Sequence, residues 1–114
     1  MDAGTIQHRL KEMWVFVAVS GNKTVGTIGC RANGQEGHLR GMAVLPEWQG
    51  TGVATALLRA AEAELRWKQC AWVTLNTTKP LQRATRFYER QGFSASGRIS
   101  DFFGMALYQY KKSL

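Results

Sequence analysis

The first half of the chain places its apolar residues in short bursts of strand length, each closed by a glycine-containing pair. Residues 13–20 (MWVFVAVS) are rich in Val, Trp and Phe and predict a strand. Gly21 and Asn22 tolerate positive φ and suit a tight hairpin turn, so a second strand is predicted over 24–31. Gly26 and Gly29 weaken that strand or permit a close backbone approach. Asn33 and Gly34 mark another turn, and residues 38–45 predict a third strand that stops before Pro46. This half reads as an antiparallel meander, preceded by one short helix predicted over 5–12 (TIQHRLKE).

Helical spacing takes over at residue 53. Ala54, Leu57, Leu58, Ala61 and Leu65 fall on one face of a helix predicted over 53–67, with Arg59, Glu62, Glu64 and Arg66 on the other side. Residues 71–75 (AWVTL) form a short buried strand. A second amphipathic helix is predicted over 81–91, where Leu81, Ala84, Phe87 and Tyr88 are spaced three and four apart, and Gly92 suits the position after its end. The tail from 93 to 110 alternates enough for two more strands broken near 100–104. Three strands, helix, strand, helix and two strands predict an α/β fold on a mixed, mostly antiparallel sheet.

Composition adds bounds. The chain has 114 residues, 45% of them hydrophobic and 20% charged, with two prolines, which predicts one globular domain over 1–114. The longest apolar run, 13–19, is far shorter than the ~20 residues that cross a bilayer, and acidic Asp2 opens no signal peptide. Cys30 and Cys70 are too few for a disulfide framework and read as buried thiols, so a cytoplasmic location is expected. The net charge of +7 sits mostly in the second half: residues 57–114 carry ten Lys/Arg against four Asp/Glu, residues 1–56 five against four. Such a half attracts polyanions, either nucleic acid or a phosphorylated cofactor. The charges are nevertheless spread singly, as on a solvated helix face.

The chemistry concentrates in 39–61, LRGMAVLPEWQGTGVATALLRAA, where a strand runs through Gln49-Gly50-Thr51-Gly52 directly into a helix. Free amides at a helix start bind phosphate, and glycine lets the anion come close. A Rossmann fingerprint lacks its third glycine here, and the strand that follows ends at Asn76 instead of an acid. A P-loop fails because Thr27 stands where Gly21 and Gly26 would require lysine. His8 and His38 have no companions at metal-ligand spacing, so no metal is expected. Gly92-Phe93-Ser94-Ala95-Ser96 ends in serine where a nucleophile elbow needs glycine, and Cys70 is a poor catalytic thiol.

Met42-Ala43-Val44-x-Pro46-x-x-Gln49-x-x-Gly52-x-Ala54 resembles the acetyl-CoA signature of the GNAT N-acetyltransferase superfamily. Phe87-Tyr88-Glu89-Arg90-Gln91-Gly92-Phe93 is similar to that family's second signature. The resemblance covers roughly residues 14–111. It implies a splayed central strand pair with flanking helices, and a chain lacking the family's usual first strand and first two helices. It also implies acetyl-CoA as cofactor and acetyl transfer to a primary amine by direct attack. Met42, Ala43 and Val44 would offer backbone to the pantetheine arm, one amide at Ala43 or Val44 serving as oxyanion hole. The loop amides of Gln49, Gly50, Thr51, Gly52, Val53, Ala54 and Thr55 would hold the pyrophosphate. Tyr88 matches the family's general acid, although spacing alone makes it a core aromatic.

The departures from the pattern carry expectations too. Leu81 stands where many relatives have an asparagine near the pantetheine; Asn76 either substitutes for it or is a turn residue. No general base is evident, with Glu36 and His38 nearest the acceptor side or simply on the surface. Trp14 and Trp48 line an acceptor pocket or belong to core or interface. The short start leaves the acceptor pocket open, marks a fragment, or is completed by a second subunit, and a homodimer is expected. Eight acidic residues are few for a polycationic acceptor, which favours a small amine or amino-acid derivative. Two other classes compete: a weakly catalytic acyl-CoA-binding or assembly module of the same fold, and a nucleic-acid binder. The last lacks an aromatic strand motif or helix-turn-helix signature, so neither nucleic acid nor membrane is expected as partner.

Overall fold

Tight turns at Gly21 and Gly34, with φ of +60° and +63°, fold the first part of the chain back on itself. The computed structural model describes the backbone of residues 4–10, 13–77 and 82–114, and side chains over 13–77 and 84–114. Four strands, β1 (Gly4–Leu10), β2 (Met13–Ser20), β3 (Lys23–Asn33) and β4 (Glu36–Val44), pair antiparallel in succession. A short 3₁₀ turn at Pro46–Trp48 leads to helix α1 (Val53–Trp67), then β5 (Trp72–Thr77), helix α2 (Gln82–Arg90), β6 (Ser94–Phe102) and β7 (Met105–Ser113). The seven strands form one sheet in the order β1-β2-β3-β4-β5-β7-β6, in which β4 and β5 alone run parallel.

The helix expected over 5–12 is corrected. Residues 4–10 pair along the whole outer edge of β2, from Gly4 opposite Val19 to Leu10 opposite Met13. An isolated helix of two turns is unstable in water, whereas this strand satisfies the backbone groups that β2 would leave open. The sheet thus opens on an edge strand where none was expected, and no α-helix precedes α1 among the described residues. The later elements match their predicted positions within about three residues, the largest difference being the end of β7 at Ser113 instead of 110, and helix α1 matches at both ends.

Helix α1 lies on one face of the sheet and supplies the centre of the core. Leu57, Leu58, Ala61 and Leu65 are buried against Ile28, Cys30, Leu39 and Val73. The close approach depends on Gly37 in β4, where a Cβ would stand 2.6 Å from Leu65 Cδ1. Both cysteines are free and buried, and burial pushes the Cys30 thiol up to about 12. Glu62 departs from its expected place on the solvent side of the helix. It is 4% exposed and its carboxylate accepts two hydrogen bonds from Lys112 Nζ of β7, at 3.0 and 3.1 Å. Sequence spacing placed Glu62 by its charge, but the ion pair between α1 and β7 makes its burial tolerable.

Candidate active site

The parallel pairing of β4 with β5 covers four residue pairs, from Glu36 opposite Trp72 to Leu39 opposite Leu75. Beyond that point β4 continues to Val44 and β5 to Thr77 without pairing to each other. The central strands therefore part, and the β5-facing edge of β4 over 40–44 is left without a strand neighbour. A bulge adds to the divergence: Gly29 pairs with Arg40 and Thr27 with Ala43, so Gly41 and Met42 together face Ile28.

The loop after β4 ends in an open helix start. Gly52 caps α1 at φ +92°, with no side-chain capping bond and no acidic residue in the first turn. Among the described residues, the amides of Gly50, Gly52, Val53, Ala54 and Thr55 have no hydrogen-bond acceptor. A Cβ at Gly52 would meet nothing within 4 Å, so the space beside the helix start is open on that side. Unsatisfied donors at the positive end of a fifteen-residue helix, with no acid to occupy them, make an anion site. Gln49 fixes the loop to the strand by donating from Nε2 to Val44 O at 3.2 Å, and Thr51 Oγ1 donates to Trp48 O.

This loop opens into a cleft of about 590 Å³ between β4, the head of α1 and helix α2. Met42, Ala43, Val44, Gln49, Gly50, Gly52, Ala54, Thr55 and Tyr88 all border it. Of the other residues expected there, Val53 is buried in the core and contributes an amide, Thr51 is tied to Trp48, and Asn76 stands elsewhere. Leu81 lies outside the described residues. Ala84, Phe87, Arg90 and Gln91 border the cleft as well. For Ala84 and Gln91, four before and three after Tyr88, helical spacing was the available signal; Phe87 and Arg90 offered none of that kind.

Tyr88 is partly buried, packed edge-on against Phe87 and Phe93 with ring centroids at 5.5 and 5.8 Å. Its hydroxyl has no hydrogen-bond partner among the described residues. Burial raises its pKa above the ordinary 10.0, so the proton is present at neutral pH.

A second hollow, of about 240 Å³, opens on the sheet face opposite α1 and takes in Glu36, His38, Arg40 and Asn76. Arg40 and Asn76 are the first residues past the last β4–β5 pair, so both hollows border the same parting. Thr74, 2% exposed, links the two side chains that sequence could not decide between. Its hydroxyl donates to Glu36 Oε2 at 3.0 Å and lies 2.9 Å from His38 Nδ1. With that proton given to Glu36 or to Gly37 O at 3.4 Å, the tautomer that fits these contacts has Nδ1 donating and Nε2 carrying the lone pair. Desolvation, then Arg40, holds the His38 pKa below 6.5, keeping the ring neutral at pH 7. Trp14 and Trp48 border neither hollow; Trp48 is buried in the core and Trp14 packs against it. No cluster with metal-ligand composition occurs among the described residues.

A family model described as "Acetyltransferase (GNAT) family" matches residues 3–93. The chain is 29% identical over 93 residues to N-alpha-acetyltransferase 30 of Schizosaccharomyces pombe, covering 77% of this chain and 62% of that protein. It thus spans less than two thirds of this curated relative. Its fold is similar to the ribosomal-protein-S18-alanine N-acetyltransferase from Escherichia coli (TM-score 0.79, 20% identity, 92% of this chain and 71% of that one). It also resembles a GNAT family acetyltransferase from Elizabethkingia anophelis solved with acetyl-CoA bound (TM-score 0.76, 14% identity, 90% and 77%). The parted strands, the glycine-capped helix start and the family match over most of the sequence agree: this chain belongs to the GNAT acetyltransferase family.

Proposed function

We propose that the protein is an acetyl-CoA-dependent N-acetyltransferase acting on a primary amine. The observation that carries this reading is the row of unoccupied amides at the head of α1, opening into the same cleft as the free edge of β4 and Tyr88. These features fit the coenzyme. The amides of Gly50, Gly52, Val53, Ala54 and Thr55 hold a diphosphate, and the 40–44 edge of β4 hydrogen-bonds an extended arm laid in the parting. Bound acetyl-CoA supplies an activated acetyl group as a thioester. An amide at Ala43 or Val44 polarises the acyl oxygen. Tyr88 O–H gives a proton to sulfur as the C–S bond breaks. His38 Nε2, oriented through Thr74 and Glu36, takes the proton that nitrogen loses as the C–N bond forms. The names of two relatives, both N-acetyltransferases, support nitrogen as the acceptor atom.

Thiol release from acetyl-CoA across a panel of amines tests this. Turnover with at least one amine is expected; tight coenzyme binding without turnover with any of them would instead identify a binding module. The buried, unpaired thiols fit a cytoplasmic setting, and no helix among the described residues is long and apolar enough to cross a membrane. We further propose a homodimer, supported by the exposed apolar tip of the β6–β7 hairpin at Phe102, Phe103 and Met105. Light scattering reads it directly, and a fully active monomer would refute it.

A further inference from the structure

The hollow on the open face is built for charge. Among the described residues, Arg31 of β3, Arg40 of β4 and Arg98 of β6 border it, against a single carboxylate, Glu36. Among the described residues none of the three guanidinium groups has an ion-pair partner. The carboxylate is already engaged by the Thr74 hydroxyl, and neutral His38 adds no negative charge to balance the arginines. Among the described residues the rest of the wall is uncharged and polar, made by Asn33, His38, Asn76, Ser100 and Gln109. Three like charges around one small concavity repel each other, and a bound anion removes that repulsion. Guanidinium forks match the paired oxygens of a carboxylate or phosphate. At about 240 Å³ the space suits a small group rather than a long chain.

We propose that this hollow binds an anionic group, carboxylate or phosphate, carried by the acceptor itself, so that the enzyme selects small acidic amines over neutral amines and polyamines. The proposal rests on the acetyl-transfer reading and names its substrate class. Arg31 is the register partner of His38, so the anion site adjoins the group that receives the proton. An acceptor held by its acidic end presents its amine to the parting of β4 and β5.

Two measurements on the full chain separate this proposal from the transfer reading. In the first, succinate and inorganic phosphate are titrated separately at low salt and followed by amide chemical shifts. Saturable binding of at least one is expected, weakened about tenfold or more in R31Q/R40Q and by added salt. Binding of succinate alone identifies a carboxylate, and binding of phosphate alone a phosphate. No saturable binding of either ion, or affinities unchanged in the double variant, would overturn the site even if amines are acetylated. In the second, thiol release is compared for β-alanine, aminoethylphosphonate, β-alaninamide and ethylenediamine. An anionic amine is expected to exceed β-alaninamide about tenfold or more in kcat/KM, with that ratio collapsing in R31Q/R40Q. Equal use of β-alanine, aminoethylphosphonate and β-alaninamide by the unaltered chain would overturn the proposal. If no amine is acetylated, the transfer reading fails and the titration alone decides whether the anion site exists.

Discussion

Tyr88 and Phe93 are joined twice. The Phe93 amide donates to Tyr88 O at 2.9 Å, and their rings meet edge-on at 5.8 Å. With Gly92 N–H donating to Glu89 O at 3.0 Å and Gly92 at φ +97°, this is a Schellman closure of α2. The Gly-Phe pair of the second signature thereby acquires a physical reason: glycine allows the left-handed turn, and buried Phe93 braces the ring that faces the cleft.

Replacing Tyr88 by Phe keeps that brace and removes the hydroxyl. The proposed proton donor is lost, so kcat is expected to fall about 10²-fold or more while coenzyme affinity stays within about twofold. Steady-state kinetics together with calorimetry check this. A Phe variant as active as the parent would remove the general-acid role.

Gly52→Val forces a β-branched side chain into φ +92° and projects it toward the proposed diphosphate. Backbone strain of roughly 1–2 kcal/mol is expected from the left-handed conformation, more for Val than for Ala. Coenzyme affinity, read by calorimetry on folded material, is expected to fall more than tenfold. Unchanged affinity would place the diphosphate elsewhere.

The pH dependence follows from His38. Its pKa is held below 6.5 in the folded chain, so the unfolded chain binds more protons near pH 6 and stability falls as pH drops below 6.5. The proposed reaction loses its proton acceptor in the same acidic window. His38→Gln is expected to lower kcat/KM about 10²-fold and flatten the acid limb. An unchanged pH–rate profile would exclude His38 as the base.

Lys112→Met strands Glu62 beneath α1 without its main partner, since Arg66 lies farther off at 3.6 Å. A loss of roughly 2–3 kcal/mol in denaturant unfolding is expected. Adding Glu62→Leu should recover part of it, because the buried charge is then gone. Additive losses in the double variant would show that the pair is not coupled.

Much of this architecture was legible in the chain. Turn residues and alternation located β2 through β4, and the Ala/Leu face of α1 was unambiguous. Motif spacing pointed to Val44, Gln49, Gly52 and Tyr88, and these four border one cleft. Residues 4–10 were misread because they lack a strong period of their own, and the free edge of β2 decides their conformation. Asn76 was assigned to the coenzyme by its position at a strand end, but strand alternation puts it on the face with His38. The Glu36–Thr74–His38 chain was invisible because Thr74 is thirty-six residues from His38 and joins it through the parallel pairing. Arg98 reaches the hollow from yet another strand.

The way β4 serves both hollows has an evolutionary consequence. Toward the proposed coenzyme cleft it would offer main chain, which is the same whatever residue is encoded; toward the opposite hollow it offers His38 and Arg40 by side chain. On the proposed reading, mutation along this strand and its neighbour β3 would retune the choice of acceptor while the donor grip is inherited unchanged. One ribbon of peptide thus keeps a shared chemistry constant while leaving its target free to drift.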